Sequence, residues 1–118
     1  MKRAVLRTWA ALKRLLRPRE HSTNPVRTIA VDELPDELQP NRLYLLGTPP
    51  WSAAIVCPCG CQELIHLSLL PDDSPAWRLR LDGNALPSLA PSVWRTKGCQ
   101  AHFFLRHGEI FWFRPYEE

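Results

Sequence analysis

The feature that most constrains this sequence is a run of three cysteines at alternating positions, followed much later by a fourth. The run reads Cys57-Pro58-Cys59-Gly60-Cys61, and the fourth cysteine is Cys99. Neighbouring cysteines in this spacing fit the geometry of a disulfide poorly. Thiolates are, however, preferred ligands of soft metal ions, and four of them close a tetrahedral shell. The sequence therefore predicts a zinc site with four cysteine ligands.

The same residues leave a second ligand set open. If positions 57, 59 and 61 are extended, their sulfurs point to one side and can face a common ion, which Cys99 would complete. In the alternative, three cysteines bind the ion together with His66 or His102. That arrangement leaves Cys99 free or exposes an open coordination position, which a metal hydrolase would need for an activated water.

Composition favours one mainly β domain. The 118 residues are 45% hydrophobic and include five tryptophans, which is enough apolar material for a core. Twelve prolines against five glycines are typical of short elements separated by turns. We expect a small antiparallel sheet or barrel-like fold, with a two-residue hairpin turn at His107-Gly108. Strands are predicted near residues 26–31, 42–46, 53–57, 63–69, 77–81, 86–89, 101–106 and 109–113.

The charge is unevenly distributed along the chain. Residues 1–20 carry seven basic side chains and one acidic side chain, whereas the remainder has a net charge of −3. Apolar residues recur at helical spacing near the start, so we expect a basic amphipathic helix over residues 1–17 and a linker over 18–25. The zinc-binding β domain would then span residues 26–118.

The basic helix can pack on its own domain or on a partner. A membrane contact or a nucleic-acid contact made by residues 1–19 is the alternative. The body of the protein is not expected to bind nucleic acid, because its charge is negative. The apolar runs near the start are too short for a secretory signal or a membrane span, so we expect a cytoplasmic protein whose thiols are not paired as disulfides.

Several segments together resemble a known family. It comprises small zinc-binding, peptidase-like bacterial proteins, encoded beside genes for ubiquitin-like proteins and for their activating and conjugating enzymes. The resemblance covers most of residues 26–113 and leaves out the N-terminal helix. It is carried by Val31-Asp32-Glu33-Leu34-Pro35-Asp36-Glu37-Leu38, Leu43-Tyr44-Leu45, Cys57-Pro58-Cys59-Gly60-Cys61, Trp77-Arg78-Leu79, Ser88-Leu89-Ala90-Pro91-Ser92-Val93-Trp94 and Gly98-Cys99-Gln100-Ala101-His102-Phe103-Phe104.

The resemblance implies a protein, stabilised by a structural zinc ion, that processes or removes a ubiquitin-like modifier as a deubiquitinase-like serine peptidase. The family pattern near the end of the domain reads cysteine, any residue, serine, histidine, aromatic. This chain has Ala101 where that pattern has the serine, which would be the nucleophile. Three explanations are open: an inactive natural copy, a nucleophile elsewhere in the chain, or an engineered replacement.

Candidate partners for a nucleophile at position 101 follow from strand geometry. Positions 99 and 101 share a face of an extended strand and lie ~7 Å apart. A serine nucleophile needs a histidine base and a group that orients the base. We expect His66 to be the base and Glu63 its orienting group, because His102 points to the opposite face from position 101. The other candidate nucleophile, Ser92, is interpreted as a turn or capping serine.

Three functions therefore remain as hypotheses. The first is a protease that cleaves after the C-terminal tail of a bacterial ubiquitin-like modifier, with Ala101 making this chain inactive. The second is a non-catalytic zinc module that binds the modifier or its conjugation enzymes. The third is an adaptor that associates with a membrane or a nucleic acid through residues 1–19.

Overall fold

The computed structural model describes residues 24–113, which form a mainly β structure as predicted. The predicted helix over residues 1–17 and most of the predicted linker lie outside the described residues. Within this part of the chain, no helix is long and apolar enough to cross a lipid bilayer. The strands are β1 (Arg27–Val31), β2 (Arg42–Leu46), β3 (Ser52–Val56), β4 (Leu64–Ser68), β5 (Arg78–Leu81), β6 (Pro87–Trp94), β7 (His102–Arg106) and β8 (Glu109–Trp112).

The strands form two four-stranded sheets in sequence order, β1-β2-β3-β4 and β5-β6-β7-β8. The expected barrel-like closure is not found, since the strand pairings among the described residues stay within each sheet. The segment between β4 and β5 contains Pro71 and Pro75, which have no N–H to donate to a sheet. The chain therefore crosses from one sheet to the other there without extending either.

One pairing also differs from the antiparallel expectation. β1 runs parallel to β2, whereas the other strand pairs are antiparallel. A parallel pair requires a connection that returns the chain to the end from which it came. Residues 32–41 provide this return, and β1 lies at the edge of the sheet.

A single apolar core joins the two sheets. Leu43 and Ile55 reach it from the first sheet, and Phe103 and Leu105 reach it from the second; each is at most 1% exposed. Along β7 the neighbouring positions, His102 and Phe104, are less buried, as a strand with one face on the core requires. The second sheet therefore has an outer face on which polar side chains can meet.

β6 contains a bulge at its centre. Leu89 pairs with Leu105 and Val93 pairs with Phe103, so four steps along β6 oppose two steps along β7. Pro91 lies within this offset, where the ladder does not need its missing N–H. Leu89 and Val93 both remain buried, while the residues between them are displaced toward solvent. The bulge is the reason that β6 extends beyond the predicted residues 86–89.

The β7–β8 hairpin confirms the turn predicted at His107-Gly108. Both residues have positive φ, 49° and 78°, as a two-residue type I′ turn requires. A Cβ on Gly108 would lie 3.0 Å from the Val26 carbonyl oxygen, so the position has little room for a larger residue. The N–H of the same residue, Val26, donates to the carbonyl oxygen of Gly108 at 2.7 Å.

Candidate active site and metal centre

The four cysteines converge to form one cluster, which we call the cysteine centre (Cys57, Cys59, Cys61 and Cys99). Their Sγ atoms all lie within 4.8 Å of one another. Cys57 Sγ is 3.4 Å from Cys59 Sγ and 3.7 Å from Cys99 Sγ. Ligands about 2.3 Å from one tetrahedral zinc ion would be about 3.8 Å apart. The cysteine centre therefore has the donor set and size to hold one metal ion and is consistent with zinc.

The first three sulfurs are brought together by a tight turn rather than by an extended segment. The N–H of Cys57, directly after β3, donates to the carbonyl of Glu63 at 2.8 Å. Gly60 donates to the carbonyl of Cys57 at 3.3 Å and has a φ of 97°, a conformation that favours glycine. This closed turn directs the thiols toward the segment that carries Cys99.

The thiols differ in how readily they lose a proton. Desolvation raises the pKa of the buried Cys57 to about 12. Desolvation opposes ionisation of Cys99 as well, but hydrogen bonds from the Ala101 backbone N–H and from the neighbouring thiols together lower its pKa to about 7. Since a metal ion binds thiolates, it must displace the remaining protons, and its binding weakens at low pH.

Arg95 places a cation against the cysteine centre. Its Nη1 lies 3.5 Å from Cys61 Sγ and 3.4 Å from Cys99 Sγ. Its Nη2 lies 3.0 Å from Glu63 Oε1, and this hydrogen bond raises the pKa of Arg95. The guanidinium therefore contacts both ends of the centre, the turn after β3 and the segment before β7.

A serine and a histidine meet on the outer face of the second sheet. Ser92 Oγ lies 2.9 Å from His102 Nε2. Ser92 belongs to the β6 bulge, and His102 is the first residue of β7. A hydroxyl within hydrogen-bond reach of an imidazole is the basic arrangement of a serine nucleophile and its general base.

Aromatic rings hold the imidazole of His102 in place. The ring of Trp94 stacks on it with centroids 4.9 Å apart and an interplanar angle of 12°. Phe113 and Phe104 lie against the imidazole with centroid distances of 4.3 and 5.9 Å. These contacts restrict the rotation of the imidazole and leave Nε2 directed at Ser92.

The backbone of the serine is also fixed. The indole Nε1 of Trp77, in the segment that leads into β5, donates to the carbonyl of Ser92 at 3.2 Å. Val93, the next residue, is 2% exposed and anchors the strand in the core. The hydroxyl of Ser92 is therefore carried by a backbone held on both sides of the bulge.

The structure does not bring the predicted catalytic residues together in one site. Ala101 is 8% exposed, and its methyl group belongs to the core. His66 is exposed on β4 of the other sheet and lines an open cavity of about 370 Å³ with Trp51 and Trp77. Glu63 pairs with Arg95 rather than with His66. His102 faces away from Ala101, as predicted, and thereby reaches Ser92.

Ser92 is the functional candidate that the sequence interpretation placed in a turn. The available signal was Pro91 inside an otherwise apolar strand pattern, which is typical of a bulge. Bulges redirect side chains and are frequent beside active sites. The pairing of Ser92 with a histidine ten residues later depends on the β6–β7 register, which the local sequence does not specify.

A family model described as bacterial ubiquitination-like system serine protease (BubE) matches residues 30–113. No curated protein and no solved structure matches the chain. The matched range contains the cysteine centre, the β6 bulge and the Ser92–His102 pair. On this match, the chain belongs to the BubE family of serine proteases of bacterial ubiquitination-like systems.

Proposed function

We propose that this chain cleaves the bond after the C-terminal tail of a bacterial ubiquitin-like modifier, with Ser92 as the nucleophile and His102 as its general base. The observation that carries the proposal is the 2.9 Å contact between Ser92 Oγ and His102 Nε2, in a chain of a serine protease family. On this assignment Ala101 is a core residue, and its methyl group does not make the chain inactive.

The proposed reaction follows the usual course of acyl transfer. Nε2 of His102 takes the hydroxyl proton while Ser92 Oγ attacks the carbonyl carbon that ends the modifier tail. The tetrahedral intermediate collapses when the imidazolium returns that proton to the leaving group, and the bond to the leaving group breaks. Water then attacks the ester while the same imidazole takes its proton, and the imidazolium returns that proton to Ser92 Oγ as the ester bond breaks, which releases the C-terminal carboxyl group of the modifier.

The cysteine centre has a supporting role in this proposal. Its four sulfurs would hold a zinc ion in a closed tetrahedral shell, which supplies folding stability and leaves no protein-bound position for a reacting water. The ligands would come from the turn after β3 and from Cys99, three residues before His102. A metal-hydrolase mechanism is therefore not favoured, and hydrolysis is assigned to the Ser92–His102 pair.

An extended tail is the form of substrate that the outer face suits best. Ser92 lies on β6, next to the edge strand β5, and His102 lies on β7 against the exposed ring of Trp94. Main-chain groups along a sheet edge bind extended peptides by strand addition. A flexible modifier tail meets this requirement, whereas a peptide bond inside a folded domain does not.

Labelling with a fluorophosphonate probe tests the nucleophile directly. We expect the metal-loaded chain to form a covalent adduct that peptide mass spectrometry maps to Ser92, and to cleave a fusion of the ubiquitin-like protein from the same conjugation system. Ser92→Ala should abolish both reactions, and His102→Gln should slow both by at least about 100-fold. Ser74→Ala, which removes an exposed hydroxyl from the segment between β4 and β5, is the matched control and should leave both unchanged.

Position 101 gives the decisive comparison between the two candidate nucleophiles. If Ser92→Ala still cleaves, or if Ala101→Ser gains activity that survives the loss of Ser92, the nucleophile assignment is wrong. A correctly folded chain that binds the modifier but neither labels nor cleaves would support the non-catalytic zinc module instead.

A further inference from the structure

The side chain of Arg95 contacts two separate segments of the cysteine centre. Its guanidinium offers donors in a fixed planar fork. One arm lies between Cys61 Sγ and Cys99 Sγ, and the other bonds the Glu63 carboxylate at 3.0 Å. The side chain is only 19% exposed, so these contacts are partly shielded from water.

The backbone of Arg95 connects directly to the catalytic pair. Its N–H donates to the carbonyl of Ala101 at 2.7 Å, which continues the β6–β7 ladder beyond the last paired residues. The preceding residue, Trp94, stacks on the imidazole, and the residue after Ala101 is His102 itself. Arg95 therefore connects the cysteine centre to two neighbours of the imidazole: Trp94, which stacks on it, and Ala101, which precedes His102 in the chain.

The charge of Arg95 suits this position. Four thiolates around a divalent zinc ion carry a net charge of −2, and a neighbouring guanidinium offsets part of it. Hydrogen bonds from outside the ligand shell orient the ligands and hold the metal more firmly. A lysine could supply the charge but not the fork that reaches sulfur and carboxylate at once.

We propose that Arg95 is a positioning residue that holds the cysteine centre and the Ser92–His102 pair in a fixed relation, through its guanidinium on one side and its strand neighbours on the other. The inference has a metal half, in which Arg95 stabilises the metal site, and a catalytic half, in which Arg95 keeps His102 aligned with Ser92. Only the catalytic half rests on the proposed function. Arg95 touches no reacting atom and acts through Trp94 and His102.

The metal half is tested by zinc release. Zinc-loaded wild type, Arg95→Ala and Arg95→Lys are mixed with a chromogenic chelator, and the release rate is followed. We expect Arg95→Ala to release zinc about 10-fold faster, with Arg95→Lys between the two. The charge-transfer bands of the cobalt-substituted proteins should shift in the same order. Arg27→Ala, which removes an exposed arginine from β1, is the control of equal charge and should match wild type.

The catalytic half is tested on the same zinc-loaded proteins with the modifier fusion. We expect Arg95→Ala to lower kcat with KM unchanged, because the imidazole loses its alignment while the substrate surface stays intact, and Arg95→Lys to restore part of kcat. Zinc release and cobalt spectra identical to wild type in both variants would overturn the inference, as would an unchanged kcat. If wild type itself fails to label at Ser92, the proposed function fails, and zinc release still decides the metal half.

Discussion

At the scale of single residues, the orientation of His102 depends on a side chain that contributes little to the core. Trp94 is 63% exposed, yet its ring lies flat on the imidazole. Trp94→Ala should therefore lower the rate of fluorophosphonate labelling of Ser92 by about 5-fold, since a stacked pair contributes about 1 kcal/mol. The melting temperature should change little.

The matched control for this substitution is Trp51→Ala. Trp51 is 52% exposed and directly precedes β3 of the other sheet, so its loss removes a similar ring without touching the imidazole. Equal labelling rates in the Trp94 and Trp51 variants would show that the stacking does not orient the base.

At the scale of elements, a set of hydrogen bonds to the carboxylate of Asp82, which we call the clip, joins the turn after β5 to the β7–β8 turn. Asp82 Oδ2 lies 2.9 Å from His107 Nδ1, and Asp82 Oδ1 accepts the N–H groups of Asn84 and Leu86 at 2.8 and 2.9 Å. The hydrogen bond from Leu86, followed by the bond to His107, lowers the pKa of Asp82 below its ordinary 3.8. The ionised carboxylate is thus favoured in the folded state.

The sign of the pH effect follows from that lowered pKa. The clip stabilises the fold fully above the ordinary pKa of 3.8, and the stabilisation is lost as pH falls from there through the lower folded value. We expect Asp82→Asn to have a lower urea midpoint than wild type at pH 7, with the difference shrinking below pH 3.8. A constant difference at all pH values would contradict this linkage. Comparing the two proteins at each pH cancels the loss of metal in acid.

At the scale of the whole molecule, the cysteine centre lies where the two sheets meet, so a metal ion bound there would cross-link them. Cys57 follows β3 of the first sheet, and Cys99 precedes β7 of the second. Removing the metal or changing Cys99→Ser should lower the melting temperature by more than about 10 °C, because metal binding contributes directly to folding. Native mass spectrometry should find one zinc per wild-type chain and none in the variant.

Two outcomes would speak against this cross-link. One is a wild-type chain purified without bound metal that melts at the same temperature after zinc is added. The other is a Cys99→Ser chain that retains one zinc ion, which would require a different fourth ligand.

The sequence predicted the parts of this molecule that depend on local chemistry. The mainly β class and the His107-Gly108 turn follow from residue type and alternation, and the convergence of the four cysteines was predicted from their number and spacing. The two-sheet division, the parallel β1–β2 pair and the Ser92–His102 contact depend on strand pairing between distant or offset segments. The sequence pattern alone does not set that register. His66 and position 101 were therefore expected to lie close together, whereas His66 is on the first sheet and Ala101 directly precedes β7 of the second.

The offset in β6 also bears on the order in which the molecule assembles. The Ser92–His102 contact closes a loop of ten residues, whereas the contact between Cys57 and Cys99 closes one of 42. The entropy lost on closing a loop grows with its length, by about 0.6 kcal/mol for each doubling, so the longer closure costs about 1.2 kcal/mol more. We therefore expect the β6–β7 hairpin that carries Ser92 and His102 to form early in folding. The metal would then bind last and stabilise a site that the polypeptide has already formed.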